Sequence, residues 1–123
     1  MKQNILNPVT IQTAPTESRP TLEKIQKTSG FIPNLMATFA NSPTVLHGYL
    51  AMDAVWEKGT FSPVERSLVL LAASVVNNCG YCTAAHCTIL KGFLKAPAET
   101  VSNYLDHFNP APLDDAFKAE SSN

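Results

Sequence analysis

Cys79-Gly80-Tyr81-Cys82, followed four residues on by His86, sets two thiols and an imidazole at spacings that suit redox chemistry. Two cysteines with two residues between them can close a small disulfide, and a histidine one helical turn beyond the second can take its proton. On a regular helix opening after Asn78, the residues Cys79, Cys82, His86, Ile89 and Phe93 fall on one stripe at steps of three and four. The polar end of that stripe is the helix N-terminus, where the macrodipole is positive and backbone N–H groups are unsatisfied. Those conditions favour thiolate and lower a cysteine pKa below its usual ~8.5. The greasy end, Ile89 and Phe93, is expected to point into the core. His86 is then the general base that makes Cys82 thiolate, and Cys82 attacks a peroxide or a disulfide. Cys79 closes the Cys79–Cys82 disulfide, and an external thiol reductant resets it.

A C-x-x-C pair is also half of many zinc sites, and Cys79, Cys82, His86 and Cys87 nominally count to four ligands. All four come from one helix start, however, and Cys87 is turned about 140° from Cys82 at about 100° per residue. A tetrahedral site normally draws ligands from two elements, so neither a metal nor a cofactor is expected. Cys87 falls on the side of Thr83, Leu90 and Leu94 and reads as a small core filler. His47 and His107 have no partner in sequence and read as structural or solvated. Tyr81, between the two cysteines, either shapes access to them or packs.

The elements that must position these groups read as helices joined by short links. Residues 1–17 lack periodicity and form an extended arm whose Ile5, Leu6, Val9 and Ile11 can lie across a neighbour. A helix follows from Pro20, capped by Ser18 or Arg19 and stopped by Gly30. A short one runs from Pro33 to Ala40, and a longer one from Pro43, capped by Ser42, to about Lys58, with Val45, Tyr49, Met52 and Trp56 as its apolar stripe. Ser62-Pro63-Val64-Glu65 has the form of a capping box. The helix it starts, to about Val76, is apolar nearly all round and is expected to be central and buried. Asn77-Asn78 breaks it, the thiol helix runs from Gly80 to Lys95, and a last helix runs from Pro97 to about His107. There is no convincing strand or repeat, so the fold class is all-α, with a helical domain over 18–108 and a polar tail over 109–123.

The 123 residues fit one domain, and 15% charged residues against 45% hydrophobic is a low charge fraction, with a net charge of -1. No basic patch marks a nucleic-acid partner. The apolar run from Leu68 to Val76 is too short to span a bilayer. The N-terminal MKQNILNPVTIQ lacks the apolar stretch of a signal peptide. Three cysteines without such a signal point to a reducing, cytoplasmic setting. A core this small leads us to expect a homo-oligomer.

The stretches GFIPNLMATFANSPTVLHGYLAM and FSPVERSLVLLAASVVNNCGYCTAAH resemble the carboxymuconolactone decarboxylase / alkylhydroperoxidase D-like superfamily over about residues 20 to 95. The specific part is C-x-x-C-x-x-x-H after a buried helix and an Asn pair. The resemblance implies an all-helical fold that oligomerises through helix packing, with a central buried helix pair. Its thiol-bearing branch resembles peroxidases and disulfide reductases, and the branch without the cysteines contains lactone decarboxylases. Carried onto this chain, Cys82 matches the peroxide-attacking cysteine, Cys79 the resolving cysteine and His86 the proton-relay histidine. The relay glutamate of better-studied members falls on Ser67 here. Glu65 is near in sequence but two residues, about 200°, out of register, and its place in the capping box explains it as well as a catalytic role would. A second histidine between the cysteines is replaced by Tyr81. Such domains often continue with further helices beyond the region of Pro97, so this chain reads as a minimal form or one completed by a partner subunit.

The main expectation is therefore a thiol-dependent peroxidase or disulfide reductase, acting on a hydroperoxide or disulfide with an external thiol reductant, and carrying Cys82, Cys79, His86 and Glu65 as its catalytic set. One alternative is a catalytically weak, redox-sensitive helical oligomer or binding protein, favoured by the missing relay groups. Another is a carboxymuconolactone decarboxylase-like enzyme, for which no lactone or carboxylate pocket is marked.

Overall fold

The structure, a computed structural model, describes residues 6–108, with side chains through Asp106. The polar tail from Asn109, Ile5 and the side chain of His107 lie outside the described residues. Among those described the chain is all-helical: α1 Arg19–Ser29, α2 Asn34–Phe39, α3 Pro43–Glu57, α4 Pro63–Val76, α5 Gly80–Thr88 with a π-helical turn Ile89–Phe93, and α6 Ala98–Phe108. It divides into two compact units, one through Lys58 and one from Gly59.

The first unit is built on Ala14, Leu22, Ala40 and Leu46, with Val9, Ile11, Ile32, Met36, Phe39 and Leu50 packed around them. Val9 and Ile11 therefore lie on their own unit rather than across a neighbour. The Val9 N–H bonds to the Ala37 carbonyl at 3.1 Å, and Asn41 Nδ2 donates to the Asn7 carbonyl at 2.7 Å. Gly30 ends α1 because φ of 82° lets its N–H return to Gln26 O at 2.8 Å, a conformation that glycine adopts without steric cost. Ser18 takes the N-cap position of α1, but its side chain makes no cap bond. Its buried hydroxyl donates instead to the Ala40 carbonyl at 2.9 Å, tying the start of α1 to the end of α2. Ser42 does cap α3, accepting from the Val45 N–H at 3.4 Å.

The inward face of α3 differs from the expected stripe. Leu46 is fully buried, Tyr49 meets Phe39 edge-on with ring centroids 5.2 Å apart, and Leu50 packs beside them. Val45 and Met52 are 47% and 64% exposed. Apolar residues ring this helix, so spacing alone cannot choose its face. His47 lies at the surface, with Nε2 2.9 Å from Thr21 Oγ1.

The second unit carries the thiols. Its core is Leu71, Leu90, Val101 and Leu105, flanked by Val64, Leu68, Val75, Cys87, Leu94, Ala96 and Tyr104. Full burial of one such leucine is worth about 1.5–3 kcal/mol. Both halves of the capping box form at the start of α4. This helix buries one face (Ser67, Leu71 and Ser74, with Leu68 and Val75 packed alongside), while Val69 and Val76 stand 40% and 69% exposed, so it is not buried all round in the single chain.

The thiol helix also departs from the regular helix expected over Gly80–Lys95. At Ile89 it widens into a π-turn, closed by Leu94 N–H to Ile89 O at 2.9 Å, and Ala96 N–H reaches back to Leu90 O at 2.8 Å. The wider winding brings Leu90, Leu94 and Ala96 all onto the core before Pro97. In consequence Ile89 and Phe93, expected inside, are surface residues, and Phe93 is 59% exposed.

Candidate thiol–disulfide site

The site begins with the way α4 ends. Asn78 takes the left-handed conformation, φ 54°. Its N–H bonds to Val75 O at 3.0 Å, and the next N–H, that of Cys79, bonds to Ser74 O at 2.9 Å. This pair of bonds is a Schellman motif, with asparagine in the position usually taken by glycine. It delivers Cys79, in extended conformation, as the N-cap of α5. Thr83 then fastens Cys79 from the other side: its N–H and Oγ1 donate to the Cys79 carbonyl at 3.0 and 2.8 Å. Sequence reasoning found the Asn77-Asn78 break but not the tie made by Thr83, whose signal is a hydroxyl residue four places after a helix cap.

Cys79 and Cys82 form a disulfide, their Cα atoms 5.4 Å apart, within the range such bridges occupy. The Cys79 Sγ also accepts the Cys82 N–H at 3.2 Å, so a sulfur does the work that serine or aspartate does at most helix starts. Both cysteines are half-buried. His86 sits on α5 four residues after Cys82, hence on the same face one turn along, and its Nδ1 is shielded from solvent. The structure thus sets Cys79, Cys82 and His86 along one side of one helix. Tyr81, 48% exposed, flanks the disulfide rather than packing in the core.

Glu65 is placed elsewhere in its own local structure. Its Oε2 accepts the Ser62 N–H at 2.7 Å, and its N–H donates to Ser62 Oγ at 3.2 Å. The bonds to Ser62 hold its carboxyl below the usual carboxylate range. It stands at the start of α4, whereas Cys79 follows the end of α4. Ser67, at the register of the relay glutamate, is buried in the face of α4 that meets the core. Cys87 packs with Leu90 and Leu94 as expected, and burial pushes its thiol upward, an effect that nearby Lys91 partly opposes.

The second unit is thus an all-helical one that holds a half-buried C-x-x-C disulfide at a helix start, with a histidine one turn on. Residues 43–102, from the first residue of α3 into α6, match the carboxymuconolactone decarboxylase family, which supports the resemblance to the carboxymuconolactone decarboxylase / alkylhydroperoxidase D-like superfamily. No curated protein matches the sequence.

Proposed function

We propose that the protein is a thiol-dependent oxidoreductase that reduces hydroperoxides or disulfides through the Cys79–Cys82 pair. The observation that carries this reading is the closed disulfide at the start of α5 with His86 one turn further on. In the reduced site His86 takes the Cys82 proton, and the Cys82 sulfur attacks the terminal oxygen of a hydroperoxide. The O–O bond breaks, the alcohol leaves with a proton, and Cys82 becomes a sulfenic acid. Cys79 attacks that sulfur, closing the disulfide and releasing water. Two electrons from an external dithiol, itself oxidised to a disulfide, return both cysteines to thiols. Such a donor fits a protein that works in a reducing compartment such as the cytoplasm. The family match supports the reading, since the thiol-bearing branch that the sequence resembles carries this chemistry.

The test is peroxide consumption with a dithiol donor. Cys82→Ser is expected to abolish turnover, and Cys79→Ser to leave a sulfenic acid at Cys82 that dimedone traps. Wild-type rates in both variants would overturn the proposal. Because Glu65 is engaged by Ser62 and Ser67 stands in the relay register, a second reading is a redox-sensitive helical protein with slow turnover. It predicts a disulfide that forms on oxidation, with a change in assembly and little peroxide consumed.

A further inference from the structure

We infer that in the reduced site the negative charge rests on Cys79 rather than Cys82, which makes Cys79 a standing resolving thiolate and Cys82 the sulfur at which external reactants enter. This rests on the reading above and assigns its two sulfurs their states.

Three observations converge on Cys79. Its Sγ already accepts a helix N–H, from Cys82 at 3.2 Å, a bond that a thiolate keeps and strengthens. It occupies the N-cap itself, where the first-turn N–H groups and the positive end of the macrodipole favour an anion. Its backbone is clamped on both sides, through Ser74 O at 2.9 Å and the Thr83 hydroxyl at 2.8 Å, so opening the disulfide leaves this sulfur beside its donor. Cys82 is differently placed. It lies inside the first turn, its own N–H is engaged by Cys79, and the titratable side chain one turn on is His86. A charge already on Cys79 opposes a second one beside it. Cys82 therefore stays a thiol until His86 removes its proton during attack.

The consequence for reductive exchange is directional. An external thiolate R–S⁻ attacks Cys82 Sγ and forms an R–S–S–Cys82 mixed disulfide. The Cys79–Cys82 bond breaks, and its electron pair leaves on Cys79 Sγ, where the Cys82 N–H receives it. The more acidic thiol is the better leaving group. A second R–S⁻ then attacks the R sulfur, giving R–S–S–R, and the released Cys82 sulfur takes a proton from His86. In sum two R–S⁻, the two thiolates of one dithiol donor, lose two electrons to become a disulfide, and the protein disulfide with the proton from His86, which solvent replaces, becomes one thiol and one thiolate.

The experiment is pulsed alkylation of the fully reduced wild-type protein with iodoacetamide across pH, with each cysteine quantified by peptide mass spectrometry. Cys79 is expected to label with the lower pH midpoint, and at mildly acidic pH roughly tenfold faster than Cys82, the difference one pKa unit makes. In Cys79→Ser, Cys82 is expected to label with an ordinary thiol midpoint. A lower midpoint at Cys82 than at Cys79, or equal midpoints, overturns the inference while peroxide turnover keeps the broader proposal standing. Should neither thiol ionise more readily than Cys87, and turnover be absent as well, both fall.

Discussion

His86 and Glu65 separate at the level of single residues, although both are titratable and both were candidates. His86→Ala removes a group one turn from the attacking sulfur and is expected to slow peroxide turnover about 10²–10⁴-fold, as loss of general acid–base help does. Stopped-flow consumption assays read this directly. Glu65→Gln is expected to leave turnover unchanged, because its carboxylate is held by Ser62. Its effect belongs to stability. A carboxyl whose folded pKa is depressed stabilises the fold above the ordinary carboxylate range and loses that contribution as pH falls through it. Thermal melts in acid should therefore show wild type losing an advantage over Glu65→Gln that it holds at neutral pH. Cys87 runs the other way: its raised pKa keeps it a thiol where the unfolded chain has begun to ionise, so its contribution to stability declines as pH rises above ~8.5.

Elements explain why some of this could be read from the sequence and some could not. Helix starts are local events. Ser62-Pro63-Val64-Glu65 and the cap at Cys79 form as their residue types dictate, and the register of Cys82 and His86 follows from the helix alone. The inward face of α3 is a tertiary outcome, and with apolar residues on every side its periodicity held no answer. The π-turn was invisible for the same reason. It arises because Leu90, Leu94 and Ala96 are drawn together onto α4 and α6, which no window of neighbours encodes. Ser18 takes the cap position that local sequence allows, but its hydroxyl goes to Ala40, 22 residues away, which no local window shows. The link between α4 and α5 makes its own prediction. Asn78 is left-handed, so Asn78→Gly should be tolerated, while Asn78→Val should cost about 1–2 kcal/mol in denaturant unfolding. Asn78→Val should also displace Cys79 from its cap and slow disulfide closure.

For the molecule as a whole, the apolar surface is the open account. Val45, Met52 and Val55 on α3, and Val69 and Val76 on α4, are exposed in the single chain. Exposed apolar stripes of this kind mark contact surfaces. The protein is expected to sediment as a homo-oligomer, and Val69→Lys with Val76→Lys to shift it toward monomer. A monomeric wild type at micromolar concentration would refute that. Among the described residues no helix is long and apolar enough to cross a membrane. The half-buried third sulfur gives the protein a built-in probe. Once the other two cysteines have bonded to each other, Cys87 is the chain's sole remaining thiol, and it is packed against the leucines of the second unit. How fast a bulky thiol dye marks the oxidised protein then reports how readily that cluster admits it, with no engineered label.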